Sequence, residues 1–239
     1  VDRFPGDRPV RAGSTEYAET VVTIEFFHGV DFFRGFGPAA LTKLAAAAEH
    51  FRLQRGDALF EEGDTAADAY IVKSGRIAIA NRSVDGRESI VALMTEGDLF
   101  GEMALFDGQG RSTGARALEV SEVVRVPFSV LRSELEDDNQ ALWNVIALLV
   151  GRLRATDEAL ADSVFLDVTG RTAKRLLEIA GEQDEFVLPI TQEELAGMIG
   201  ASRERVNKAI AQFVRLGWLE QHERTYRITD RKRMTLRAS

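Results

Sequence analysis

The stretch that most constrains this chain is Asn139 to Phe165, NQALWNVIALLVGRLRATDEALADSVF, which is rich in helix formers and carries no Gly-Pro break. It predicts one long helix, a rod of about 40 Å at a rise of about 1.5 Å per residue. Leu142, Ile146, Leu149 and Leu153, then Thr156, Leu160 and Ser163, follow each other in alternating steps of 4 and 3. That alternation is a heptad seam, and on a chain like this it predicts a helix that pairs with its own copy. Thr156 places a hydroxyl inside the seam. Either it is a tolerated small polar residue or it meets something polar at the dimer axis.

Charge divides the chain around this helix. Residues 1–168 hold 17 Lys/Arg against 28 Asp/Glu, a net of −11, whereas residues 169–239 hold 13 against 10, a net of +3. An acidic body with a basic C-terminal part fits nucleic-acid contact at one end, and the total of −8 argues against indiscriminate binding of polyanions. The absence of cysteine excludes disulfides, thiolate nucleophiles, cysteine zinc sites and an iron–sulfur sensor. His28, His50 and His222 are scattered, and neither a nucleophile–base set nor metal spacing is visible, so an enzyme is not expected. VDRFPGDRPV lacks a basic-then-apolar signal pattern, and Ala141 to Val150, the most apolar stretch, is far shorter than the roughly 20 residues of a span. The expectation is a cytoplasmic protein without membrane contact.

Residues 1–20 mix proline, glycine and charge without period and predict a mobile arm. Gly35-Phe36-Gly37-Pro38 superficially resembles a dinucleotide-binding turn, but no strand–helix–strand unit surrounds it, and Pro38 opening a helix over 40–49 explains the same residues. From Phe51 onward, short alternating runs are punctuated by Gly56, Gly63, Gly75, Gly86, Gly97 and Gly101. Residues 69–72, 76–80 and 88–93 read as strands, with Asp85-Gly86 a two-residue hairpin signal between the last two. Strands this short and regular predict a small antiparallel roll.

Beyond the long helix, residues 171–180 continue helical, and residues 186–190 form a short strand. Thr191-Gln192-Glu193-Glu194 is a capping box opening a helix to Ile199, with Leu195, Met198 and Ile199 inward. Gly200-Ala201-Ser202 turns the chain, and Ser202 caps a second helix that buries Val206, Ile210, Phe213 and Val214. Arg203, Glu204, Arg205, Asn207 and Lys208 cover its opposite face. This is a helix-turn-helix pattern, followed by a hairpin wing around Gly217-Trp218-Leu219 and Tyr226-Arg227-Ile228. Arg231-Lys232-Arg233 reads as a solvated basic tail.

Leu99-Phe100-Gly101-Glu102-Met103-Ala104-Leu105-Phe106, followed by Arg111-Ser112-Thr113, resembles the phosphate-binding cassette of cyclic-nucleotide-binding domains. Together with Phe165-Leu166-Asp167-Val168-Thr169-Gly170-Arg171 and the reader motif Ala201 to Val206, it makes the chain similar to the CRP/FNR family of bacterial regulators, the cyclic-AMP receptor proteins. The resemblance covers residues of about 30–230. It implies an α+β chain: a cyclic-nucleotide-binding β-roll at 21–136, a dimerisation helix at 137–168 and a winged helix-turn-helix at 169–239, with the arm at 1–20. It also implies a homodimer that binds palindromic double-stranded DNA, cyclic AMP as allosteric effector, no metal, and RNA polymerase as a further partner. A regulator of the same family answering to another ligand or to none is the alternative.

The residues suit those roles. Gly101 lets backbone amides at Met103 and Ala104 approach a phosphate, Arg111 offers a planar charged fork, and Ser112 and Thr113 offer hydroxyls. Glu102 can accept from a ribose hydroxyl. A buried ion pair between Glu102 and Arg111, closing the loop, is the structural alternative. The resemblance adds Arg152, Thr156 and Asp157 from the long helix to the effector site. Asp157 stands where enterobacterial members carry a serine that reaches the base from the partner subunit, and an ionised carboxylate attracts the exocyclic amine of adenine and repels the carbonyl of guanine. The alternative is that Asp157 points outward, with Arg154 or another surface cation as its partner. By the same resemblance Arg203 bonds a guanine edge and Glu204 accepts from a cytosine amine. Lys208 replaces an arginine and Arg205 a phosphate-contacting threonine, which leaves the base preference open.

Overall fold

The structure is a computed structural model that describes Glu16–Tyr17 and residues 21–84 and 88–239. The chain separates into two compact units, Val1–Gly151 and Arg152–Ser239.

The first unit begins with strand β1 (Glu16–Tyr17), helices α1 (Ile24–His28) and α2 (Pro38–Ala47), and strands β2 (Glu49–Leu53), β3 (Ala58–Phe60), β4 (Asp68–Ser74), β5 (Ile77–Arg82), β6 (Glu88–Met94) and β7 (Leu99–Phe100). Helix α3 (Met103–Asp107), strands β8 (Gly114–Ala117) and β9 (Ser121–Pro127), helix α4 (Phe128–Asp137) and the long helix α5 (Asn139–Phe165) follow. The strands make two antiparallel sheets, ordered β1-β2-β9-β4-β7 and β3-β8-β5-β6, which together form the expected roll. Strand alternation sorts the core into two halves. From β4, Tyr70 and Val72 point into the roll with Phe51, Leu53, Ile77, Phe100 and Val123. Ile71 points the other way, into a second core with Phe27, Phe33, Leu41, Leu44, Leu131, Ala141 and Val145. Pro38 stands at the start of α2, as a helix-opening proline should.

Three details bear on the sequence reading. Of the arm at 1–20, only Glu16–Tyr17 lies within the described residues, and these pair with Arg52 and Phe51 of β2. The β5–β6 hairpin exists, with Arg82 paired to Glu88. The Asp85-Gly86 turn expected between them lies outside the described residues. The pairing of β2 with β9 also creates a cluster that no local pattern announces. The buried His50 places Nε2 3.1 Å from Glu122 Oε2, and Lys73 Nζ lies 3.2 Å from the same oxygen.

Helix α5 is continuous over 27 residues. Ala141 and Val145 are buried and Leu148 and Leu149 pack partly on the second core, while Leu142, Ile146, Leu153 and Leu160 are exposed. Leu149 therefore also touches the second core while staying half-exposed: it lies at the edge of the face carrying Val145. The remaining apolar row faces outward. Thr156 is exposed too, and its hydroxyl donates to the Arg152 carbonyl at 3.0 Å.

The second unit adds α6 (Val168–Ala180), β10 (Glu185–Val187), α7 (Gln192–Ile199), α8 (Arg203–Arg215), β11 (Leu219–His222), β12 (Thr225–Ile228) and α9 (Arg231–Arg237). Asp167 caps α6 by accepting from the Gly170 amide at 2.8 Å, which ends the long helix and restarts the chain in a new direction. Lys174 Nζ bonds Glu158 and Asp162 of α5 at 2.6 and 2.7 Å, and Arg171 donates to the carbonyls of Leu166 and Ile199 at 2.7 and 3.0 Å. The small sheet runs β10-β12-β11. The basic tail is solvated at Lys232 and Arg233, which are exposed, but Arg231 is held by Asp184 and by the carbonyls of Gly181 and Gln183, and the segment forms α9, whose Met234 is fully buried.

Candidate functional site

Two surfaces carry the chemistry. The first is the turn from β7 into α3 and the loop back to β8. Gly101 has φ +76°, a conformation costly for any residue with a Cβ. Its carbonyl accepts from Arg111 Nη1 at 2.6 Å. Main-chain bonds join Arg111 to the 61–64 turn, from the Arg111 amide to the Asp64 carbonyl and from the Gly63 amide to the Arg111 carbonyl, both at 2.8 Å. Arg132 of α4 donates to the Leu105 carbonyl at 2.7 Å and holds α3 in place. The loop is thus fastened at both ends before any ligand arrives.

Arg111 is the unusual group. It is 5% exposed, and its guanidinium lies 4.2 Å from the Phe60 ring centroid, 5.4 Å from that of Tyr70 and 5.9 Å from that of Phe128. Its Nε–H has no hydrogen-bond partner among the described residues. Burial pushes the guanidinium below its ordinary range, opposed by Tyr70, Asp68, Asp64 and Glu102. Burial likewise pushes the Tyr70 hydroxyl up. A desolvated cation with an open donor favours an anion of two or more oxygens, and a phosphodiester fits. Glu102 is fully buried at the cap of α3, whose first-turn amides at Met103 and Ala104 point outward from the helix start. Ser112 is exposed and donates to Met103 Sδ at 3.5 Å, and Thr113 is half-buried beside it. The structure therefore brings Gly101, Glu102, Met103, Ala104, Arg111, Ser112 and Thr113 together. Arg152, Thr156 and Asp157 belong to the second unit, where Thr156 and Asp157 are exposed on α5.

The aromatic ring set around Arg111 was missed by sequence reasoning. Phe60, Tyr70 and Phe128 come from three separate stretches, two strands and the start of a helix, which no local pattern connects.

The second surface is the start of α8. The capping box of α7 is complete: Thr191 Oγ1 accepts from the Glu194 amide at 3.2 Å, and Glu194 Oε2 accepts from the Thr191 amide at 2.7 Å. Gly200 closes α7 at φ +68°, and Ser202 caps α8 by accepting from the Arg205 amide at 3.4 Å. Val206, Ala209, Ile210 and Phe213 face inward, whereas Val214 is exposed and Met198 of α7 only half-buried, which corrects two of the inward assignments. Ser202, Arg203, Glu204, Arg205 and Lys208 are exposed, and Asn207 is half-buried, its Oδ1 without a hydrogen-bond partner among the described residues. Lys208 and Glu204 form an i,i+4 pair at 2.8 Å, which pulls the Glu204 carboxyl below its usual range. The β11–β12 wing follows, with Phe213 stacked on Trp218 at 6.0 Å.

Fold and surfaces define a class: a β-roll with an anion-binding loop, joined by a long helix to a winged helix-turn-helix. The comparisons agree. Residues 50–138 match the cyclic nucleotide-binding domain and residues 170–237 the Crp-like helix-turn-helix domain. The CRP-like cAMP-activated global transcriptional regulator of Mycobacterium tuberculosis is 37% identical over 213 residues, covering 86% of this chain and 95% of that protein. The cAMP-activated global transcriptional regulator Vfr of Pseudomonas aeruginosa is 31% identical over 180 residues, covering 71% and 84%. The structure of the c-di-GMP responsive global regulator CLP of Xanthomonas campestris is similar in fold, with a TM-score of 0.71 at 24% identity over 80% of this chain and 99% of that one. The chain belongs to the CRP/FNR family and is a DNA-binding transcription regulator with a cyclic-nucleotide-binding domain. Its relatives are regulators, not enzymes. Among the described residues, no helix is long and apolar enough to cross a membrane, and no group of three or more His, Asp or Glu could hold a metal ion.

Proposed function

We propose that the chain is a cyclic-AMP-responsive homodimer that reads a palindromic DNA site. The observation that carries this reading is Arg111, buried among rings with one donor open. A cyclic phosphodiester offers an oxygen to the open Nε–H of Arg111, Ser112 and the amides at Met103 and Ala104 complete its donors, and Glu102 accepts from the ribose. On this reading Thr156, Asp157 and Arg152 of α5 are assigned to the base, as the family resemblance implies, and Asp157 favours adenine over guanine through its acceptor-only carboxylate. The exposed row Leu142, Ile146, Leu153 and Leu160 supports self-pairing, which links two copies of Arg203, Glu204, Arg205, Asn207 and Lys208 for one palindrome. Effector binding then biases the pair of helices toward the DNA-reading arrangement. RNA polymerase is the further partner this reading implies.

Calorimetry with cyclic AMP, cyclic GMP and c-di-GMP tests it. Cyclic AMP binds tightest, and Arg111→Ala weakens it at least about tenfold, as loss of a charged hydrogen bond of about 1.5–3 kcal/mol requires. Unchanged affinity in Arg111→Ala, or preference for c-di-GMP, overturns the assignment. Asp157→Asn carries a donor as well as an acceptor and narrows the cyclic AMP to cyclic GMP ratio. An unchanged ratio removes Asp157 from the site.

A further inference from the structure

The chain has no cysteine, so its most oxidisable sulfurs are the thioethers of four methionines. Their environments differ sharply. Met234 is fully buried, Met94 packs against the roll's core, and Met198 is half-buried in α7. Met103 is 48% exposed at the first position of α3. Its sulfur also accepts a hydrogen bond from Ser112 Oγ at 3.5 Å, so the exposed thioether and a hydroxyl of the phosphate-binding loop already touch.

We propose that Met103 is an oxidation site whose sulfoxide weakens the effector site through Ser112. The inference rests on the reading of that site given above. A two-electron oxidant such as hydrogen peroxide transfers one oxygen to Met103 Sδ. The peroxide O–O bond breaks, an S–O bond forms, sulfur is oxidised, and the peroxide leaves as water. The product exchanges a weak thioether acceptor for a strongly polar sulfoxide oxygen. Ser112 Oγ–H, already aimed at this side chain, bonds that oxygen in preference and is withdrawn from the phosphodiester. Loss of one such bond to the charged phosphodiester reduces affinity by about tenfold or more. Methionine sulfoxide reductase with a thiol reductant removes the oxygen as water and restores the thioether, so the change is reversible.

The test uses the full chain, titrated with hydrogen peroxide. Peptide mass mapping follows the gain of one oxygen at each methionine, and calorimetry follows cyclic AMP. Met103 is oxidised first, affinity falls about tenfold or more, and reductase restores it. In Met103→Leu, whatever its starting affinity, peroxide leaves that affinity unchanged. Oxidation of Met94 or Met198 ahead of Met103 overturns the site. An unchanged affinity after oxidation of Met103, or an equal loss in peroxide-treated Met103→Leu, overturns the coupling to Ser112. A protein that binds no cyclic AMP before oxidation removes the reading of the loop, whereas the order of oxidation is read without ligand and decides the modification site by itself.

Discussion

Gly101→Ala addresses the least replaceable position of the effector loop. At φ +76° an alanine is strained by about 1–2 kcal/mol. Its Cβ would also lie 2.7 Å from Arg111 Nη1. A flexible side chain could step aside, but this guanidinium is buried, lies 4.2 Å from the Phe60 ring and bonds the Gly101 carbonyl at 2.6 Å. Moving it breaks a charged hydrogen bond, worth about 1.5–3 kcal/mol. Together these effects cost roughly 3–5 kcal/mol, a large share of the roughly 5–15 kcal/mol that keeps a domain folded. The first unit should melt about 6–20 °C lower. Cyclic-AMP affinity should fall well beyond tenfold, because the guanidinium that meets the phosphate has moved. Differential scanning calorimetry with and without cyclic AMP reads both effects. A variant that melts within a degree of the parent and binds cyclic AMP equally well would show that Arg111 is not held by its surroundings, and the preorganised-site argument would be wrong.

Leu153→Lys sets like charges across the exposed row of α5 and should give a monomer in sedimentation; an intact dimer would place the seam elsewhere. Arg203→Ala should lose about 1–3 kcal/mol of discrimination at one guanine, whereas Arg205→Ala should weaken all sequences alike and flatten the salt dependence; exchanged phenotypes would mean that the reading face is rotated. Burial pushes the His50 imidazole down, Lys73 adds to that, and Glu122 opposes it. Below the unfolded value of about 6.5 the unfolded chain therefore holds more protons than the folded one. Stability from His50 is complete above pH of about 6.5 and is lost as the pH falls toward the depressed folded value. Urea midpoints of His50→Gln should vary less with pH across that window than those of the parent, and equal slopes would count against the assignment.

Where physics is local, the sequence announced it. The capping box at Thr191 and Glu194 and the cap at Ser202 each depend on residues within one turn, so spacing alone reveals them. The core contact of Leu149 and the anchoring of Arg231 stay hidden for a shared reason. A helix has several faces, and which face meets another element depends on packing from far along the chain. The turn at Gly181–Asp184 converts Arg231 from a free cation into an anchor. The effector loop was legible in part. Arg111 and Ser112 stood out by residue type, but the rings that bury Arg111 come from β3, β4 and α4, two different sheets and a helix, and only their packing brings them together. The His50–Glu122 contact arises in the same way, from β2 meeting β9.

The central claim is that effector and DNA binding are linked through one dimer, and fluorescence anisotropy of a labelled palindromic duplex tests it most directly. With half-sites one turn apart, roughly 34 Å, the intact chain should bind tightly with cyclic AMP and at least about fivefold more weakly without it, the lower end of ordinary allosteric coupling. Affinity that is the same with and without cyclic AMP, in a protein that calorimetry shows to bind it, would contradict the account.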